Sequence, residues 1–239
     1  MGITKENIIA ELVANDYRTA TVFKKYNIDF CCNGNRTLNE ACEKKRIDVA
    51  KVINDLGEVA QQQADDGTDY KSWPIDLLVD YIEKKHHRYV TNKIEEIKPF
   101  LSKVVKVHGE HHPELETIND LFLASSEDLL AHMQKEEVVL FPFIRKMVEA
   151  KEQGKKLENP HFGTVENPVS MMKVEHETEG DRFAKIASLS NNYTPPADAC
   201  TTYRVTFSML KEFEDDLHKH IHLENNIVFP KAMAMEREF

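Results

Sequence analysis

Histidine and glutamate recur in this chain at spacings suited to holding a cation. His132-Met133-Gln134-Lys135-Glu136 runs on to Phe141-Pro142, and His220-Ile221-His222-Leu223-Glu224 runs on to Phe229-Pro230, so four residue types return at identical offsets. This is an internal repeat. Asp128 and Asp216 extend it, each four residues ahead of its histidine. On an α-helix four residues advance about 6 Å and overshoot a full turn by about 40°, which leaves each Asp, His and Glu on one stripe. Each copy therefore offers an imidazole and a carboxylate together.

Helices must position these groups. Ile75, Leu78, Val79 and Ile82 lead into His86 and His87 on a helical period behind Pro74, predicting a helix to about Val105. A loop with His108, His111, His112 and Pro113 precedes a second helix over 115–153 that carries the first repeat, with a kink or break expected at Pro142. A third helix from Pro168 to about Leu189 carries His176, and a fourth, about 199–235, carries the second repeat. His87 precedes His132 by 45 residues and His176 precedes His220 by 44, which reads as one hairpin plan used twice. Four such helices with modest loops make an up-down-up-down four-helix bundle. The fold class is all-α.

The interior of that bundle would receive His87, His132, His176 and His220 with Glu136 and Glu224. Buried carboxylates are costly unless paired with a cation. Mixed imidazole and carboxylate donors suit iron, manganese or zinc, and six of them exceed what one structural zinc uses. Two metal ions bridged by Glu136 and Glu224, with two histidines each, satisfy the count. His86 is the rival to His87, since only the bundle register separates neighbours. Asp128 and Asp216 either hold the second ring N–H of their histidines or are solvated helix-face residues. A competing arrangement, Glu83 with His86 and Asp215 with His218, can be drawn on two helices but ignores the repeat. His108, His111, His112, His161 and His222 are expected in loops or at the surface, with His108 available to line an entrance.

Ahead of the bundle, residues 1–60 read as a small helical domain. Ile8, Ile9, Leu12 and Val13, then Val22, Phe23 and Tyr26, give two short helices broken at Asn15-Asp16. Asp29-Phe30-Cys31-Cys32-Asn33-Gly34 is a polar turn with adjacent thiols. Thr37-Leu38-Asn39-Glu40 has capping-box form and opens a third helix, and residues 48–59 make a fourth. Residues 61–73 read as a linker and 74–239 as the bundle. Cys31 and Cys32 are candidate reactive thiols, while Cys42 and Cys200 read as structural.

Composition narrows the function classes. A formal charge of −10 on 239 residues argues against a nucleic-acid partner. No apolar run approaches the roughly 20 residues that span a bilayer, and no signal-peptide pattern opens the chain, so a cytoplasmic protein without a membrane partner is expected. Four cysteines in a chain of this length are expected as reduced thiols rather than a disulfide scaffold.

Residues 73–239 resemble a hemerythrin-like domain, and the Asp29–Gly34 turn with Thr37-Leu38 resembles the small cysteine-bearing domain fused to it in the iron-sulfur cluster repair di-iron proteins, the Repair of Iron Centres family. The residues carrying the likeness include His132-x-x-x-Glu136-Glu137, Leu140-Phe141-Pro142, Glu175-His176-Glu177, Thr194-Pro195-Pro196 with Cys200-Thr201-Thr202, and His220-x-x-Leu223-Glu224-Asn225-Asn226. The resemblance implies a non-haem, oxo-bridged centre of two iron ions held by His87, His132, His176 and His220 with bridging Glu136 and Glu224. Oxygen-carrying hemerythrins have one more histidine ligand, so a more open site is implied here. It further implies damaged iron-sulfur proteins as clients, restored by iron supply or by processing nitric oxide, with nitric oxide or oxygen as small ligand. A sensor of either gas and a nitric oxide reductase are the alternative readings. A homodimer is the default assembly.

Overall fold

The structure is a computed structural model that describes residues 2–61 and 68–239. It is all-α: among the described residues the only β pairing is an isolated bridge between Ile8 and Thr37. Helices α1 (Ile9–Asn15), α2 (Ala20–Lys25), α3 (Leu38–Lys45) and α4 (Val49–Gln61) form the N-terminal region. The break expected at Asn15-Asp16 falls where Asp16 turns extended and its carboxylate accepts the Arg18 backbone N–H at 3.0 Å, starting a short 3-10 turn. At the head of α3 the capping box closes. Thr37 Oγ1 accepts the Glu40 N–H at 3.2 Å and the Glu40 carboxylate accepts the Thr37 N–H at 2.8 Å.

Between α2 and α3 the cysteine turn is wound around Asp29, whose carboxylate accepts the backbone N–H groups of Cys31, Cys32 and Asn33 at 3.0, 3.0 and 3.2 Å. Gly34 is required here, because a Cβ at that position would lie 2.5 Å from the Phe30 carbonyl oxygen.

Four rods follow. The first is α5 (Ile75–Tyr81), a π-helical turn (Ile82–His87) and α6 (Arg88–His108). The second is α7 (Glu114–Lys135), a π-helical turn (Glu136–Leu140) and α8 (Phe141–Glu152), and the third is α9 (Glu166–Leu189). The fourth is α10 (Thr201–Leu223), a π-helical turn (Glu224–Val228) and α11 (Phe229–Glu236). Rod α6 packs on α7 and α10, and α9 packs on the same two, which closes the bundle. Pro142 and Pro230 do not end their rods, each lying in the first turn of the α-helical segment that continues it. Each follows a five-residue π-helical turn and sits where a helix's first turn needs no backbone donor, so the rods run on.

Two apolar clusters fill the bundle, one on each side of a polar layer. One side holds Ile75, Leu78, Leu140, Ile144, Val169 and Phe229, and the other holds Ile94, Leu101, Phe122, Phe183, Leu210 and Phe213. The second cluster continues without interruption into Ile9, Val13, Phe23, Phe30, Leu38 and Leu56, so the small region shares a core with the bundle. Of the stretch read as a linker, residues 62–67 lie outside the described residues. Its far end is packed on the bundle: Tyr70 is buried, and the Tyr70 and Trp73 rings meet Tyr81 at 5.5 and 5.4 Å.

Phe213 sits at the centre of the larger cluster, 5.5 Å from both Phe122 and Phe183. Phe213→Ala is expected to lower stability by about 3–5 kcal/mol, through lost burial and the cavity left behind. Chemical denaturation read by circular dichroism checks this, with the midpoint shifted and the slope unchanged.

Candidate metal centre

The polar layer is built at the π-helical turns. His87 ends the first, Glu136 begins the second and Glu224 begins the third, while His132 and His220 lie one helical turn ahead of their glutamates. His176 comes from the middle of α9, which has no such turn. A π-helical turn widens the backbone ring and re-aims the side chains around it. In this bundle such turns lie at the level of the layer in three of the four rods.

All six are buried, none more than 3 % exposed. They form two overlapping groups with donor atoms within 4.8 Å of one another, His87, Glu136, His220 and Glu224 in one and His132, Glu136, His176 and Glu224 in the other. Both glutamates belong to both groups. Glu136 Oε2 stands 3.3 Å from His87 Nε2 and 3.5 Å from His132 Nε2. Glu224 reaches His220 Nε2 at 2.7 Å and His176 Nε2 at 3.2 Å, and the Nε2 atoms of His132 and His176 face each other at 3.0 Å. The pairing crosses the hairpins, so each group draws one histidine from each half of the repeat.

The donors fit a cation. Both oxygens of Glu136, Oε2 of Glu224 and Nε2 of His87 are buried with no aligned hydrogen-bond partner. Such groups are strongly disfavoured inside a protein unless a positive centre meets them. With protons as the only positive charge, the imidazoles must carry it. Burial disfavours the charged form of His87, but Glu136 and Glu224 outweigh it and push the group up to about 10. His132 is also raised, burial being overcome by Glu136 and Glu175, whereas burial wins at His220 and lowers it. Glu224 is held well below the usual carboxylate range: burial opposes this, but His220, His176 and His87 prevail. A metal ion would take the place of those protons.

Outer contacts orient the imidazoles. Nδ1 of His87 donates to Glu137 at 2.8 Å, of His132 to Glu175 at 2.7 Å and of His176 to Asn225 at 2.9 Å, leaving each Nε2 directed inward. The rings of His87 and His176 stack on Phe141 and Phe229 at 5.7 and 5.9 Å, which accounts for the Phe in each repeat. Asp128 and Asp216 do not serve their own histidines. Asp128 pairs with Arg182, and Asp216 accepts from His86 Nδ1 at 3.0 Å, because π-helical turns and bundle packing bring other partners closer. His86 is buried outside both groups, stacked on His220 at 5.6 Å, and Glu83 pairs with Arg145 and Asp215 with Lys24, so the competing arrangement does not assemble. His222 is buried between Tyr17 and Phe30 rather than at the surface, covered by the small region.

A cleft of ≈ 250 Å³ lined by Asp128, Leu129, Lys135, Glu175 and Glu179 reaches His132 and His176. His108 takes no part in it. It ends α6, about 30 Å along the rod from His87 at 1.5 Å per residue, with Nε2 3.2 Å from Cys200 Sγ. Cys200 is exposed at the head of α10, where the Tyr203 backbone N–H and then His108 pull its thiol down to about 7, conditions for a reactive thiol rather than a structural one. Cys31 and Cys32 lie at the metal layer itself. Cys32 Sγ donates to the His176 carbonyl at 3.3 Å and stands 3.7 Å from Cys31 Sγ. The neighbouring Cys32 sulfur, with burial, raises the Cys31 thiol well above its ordinary value.

A helical bundle with overlapping histidine and glutamate groups at its core defines a cation-binding protein of hemerythrin type, and the hemerythrin HHE cation binding domain matches residues 78–232. Residues 5–60 match a domain of unknown function, DUF542. Over nearly its whole length the chain resembles proteins named for iron-sulfur cluster repair. It is 32% identical over 230 residues to the ScdA protein of Staphylococcus haemolyticus (strain JCSC1435), covering 96% of this chain and 99% of that one. To the YtfE proteins of Shigella boydii serotype 4 (strain Sb227) and Escherichia coli O8 (strain IAI1) it is 32% identical over 232 residues, 97% of this chain and 99% of each. The chain belongs to the iron-sulfur cluster repair family that these proteins share.

Two expectations follow. Glu175→Ala, which removes the acceptor for His132 Nδ1, weakens metal binding by roughly 10–100-fold while the fold persists, as competition with a chromophoric chelator would measure. Cys200 is alkylated with a midpoint near pH 7, since its thiolate is favoured. In His108→Gln that midpoint rises towards an ordinary thiol's, as site-resolved peptide mass spectrometry would report.

Proposed function

We propose that this chain is a non-haem di-iron protein that restores damaged iron-sulfur clusters. The observation that carries the reading is the pair of buried histidine and glutamate groups sharing both Glu136 and Glu224. Two ions sharing those carboxylates would use every donor in the layer, His87 and His220 holding one and His132 and His176 the other. Iron is favoured over the other metals such donors accept by the relatives' names, which are those of iron-sulfur cluster repair proteins.

Iron bound there would supply a change of redox state and coordination positions open to a small ligand such as nitric oxide or oxygen. The protein's own part is to orient four Nε2 atoms inward, keep the layer dry between two apolar clusters and leave an approach through the cleft at His132 and His176. The clients would be iron-sulfur proteins damaged by oxidants or nitric oxide, served in a reducing cytoplasm where the four free cysteines stay as thiols.

Metal analysis of anaerobically prepared protein tests the reading. Two irons per chain are expected, reduced to one or none in Glu136→Ala and Glu224→Ala. Reactivation of an oxidant-damaged iron-sulfur enzyme is expected with the iron-loaded protein and not with either variant. Stoichiometric zinc, or reactivation that survives loss of both glutamates, would overturn it.

A further inference from the structure

Asn225 joins two parts of the molecule that the metal centre alone does not require to be joined. It is buried, directly after Glu224. Its Nδ2 donates to the Cys31 backbone carbonyl at 3.0 Å, and its Oδ1 faces His176 Nδ1 at 2.9 Å. A carbonyl can only accept, so the Cys31 contact fixes which end of the amide points outward. Oδ1 must then face His176, and Nδ1 of that imidazole must carry the proton. The lone pair is left on Nε2, in the metal layer. The cysteine turn thus selects the tautomer in which His176 can ligate.

The turn is held against α9 and the π-helical turn of the fourth rod by contacts that tolerate a thiol and little more. Cys32 Sγ donates to the His176 carbonyl at 3.3 Å, Asn226 Nδ2 donates to the Phe30 carbonyl at 3.1 Å, and a Cβ on Gly180 would lie 3.3 Å from that sulfur. A group attached to Cys32 has no room there and must lift the turn. Lifting it removes the Cys31 carbonyl from Asn225. The amide is then free to turn over and present Nδ2 to His176, which favours the tautomer with its proton on Nε2.

We propose that Asn225 is a positioning residue for His176, and that through it the covalent state of Cys32 sets how firmly the metal is held. This rests on the reading of His176 as a ligand. The modification is thiol–disulfide exchange: the Cys32 thiolate attacks one sulfur of a low-molecular-weight disulfide, the reagent's S–S bond breaks, and its other half leaves as a thiolate. A new mixed disulfide forms on Cys32 with no net electron change. A thiol reverses it.

The test uses the full-length metal-loaded protein in a Cys200→Ser background, treated with glutathione disulfide and chased with an iron chelator. Modification of Cys32 is expected to speed metal release roughly ten-fold or more, the scale on which partners of ligating histidines act. Asn225→Ala should release quickly with or without modification. Asn225→Asp keeps an acceptor on His176 Nδ1 whatever the turn does, so it should hold metal and ignore modification. Cys32→Met serves as a permanent substitute for the modified state. In metal-free protein, imidazole ¹⁵N shifts should show the His176 proton moving from Nδ1 to Nε2 on modification, and staying on Nδ1 in Asn225→Asp. Equal responses of wild type and Asn225→Asp, or an unmoved tautomer, would overturn the proposal. Metal identity and stoichiometry are measured before the chase, so the di-iron reading stands or falls on its own, and another metal is chased in the same way.

Discussion

Two carboxylates buried at the centre of a helical bundle constrain everything around them. Glu136 and Glu224 are fully buried, and neither oxygen of Glu136 and only Oε1 of Glu224, which meets His220 Nε2 at 2.7 Å, has an aligned hydrogen-bond partner. The four imidazoles are the response. Glu136 stands beside two of them and Glu224 beside three, and each histidine but His220 has an outer partner on Nδ1 that turns Nε2 inward. Apolar clusters on both sides leave the charged layer little water to solvate it, so protons on the imidazoles or a cation in their place must balance it.

The backbone has adapted to this layer. Three of the four rods widen into a π-helical turn where a layer residue sits, and in two of them a proline follows that cannot donate within the helix. Regular α-helical geometry would keep the residues of each repeat on a single stripe facing one neighbour. The His and Glu of each repeat keep that stripe, in contact at 3.5 and 2.7 Å, while beyond the widened turn the Phe of each Phe-Pro pair comes to lie flat against a histidine from another rod.

The small N-terminal region is part of the same construction. Its core is continuous with the bundle's, and it covers His218 and His222, whose burial keeps both neutral, at about 4 and about 3. Its cysteine turn, wound on Asp29, contacts the backbone of one layer histidine and, through Asn225, the ring of the same residue. The cysteine turn and His176 are therefore one hydrogen-bonded unit, despite more than 140 residues between Cys32 and His176.

Much of this was legible in the residues. The repeat of His, Glu, Phe and Pro marks two rods, helical periodicity marks the others, and the capping box at Thr37 and the break at Asp16 place the small helices, because these signals act over one or two turns of chain. The partners of the histidines were not legible. Sequence periodicity points to Asp128 and Asp216, yet Glu175, Glu137 and Asn225 stand in their place, since which carboxylate or amide meets an imidazole depends on how the rods are rotated and where a π-helical turn shifts them. The choice of His87 over His86 is decided by the same rotation, which sends one ring into the layer and its neighbour to Asp216. The position of Cys31 and Cys32 against His176, and of His222 beneath Phe30, depends on docking between segments far apart in the chain. Local sequence determines what each segment becomes; only the packed structure determines what each side chain faces.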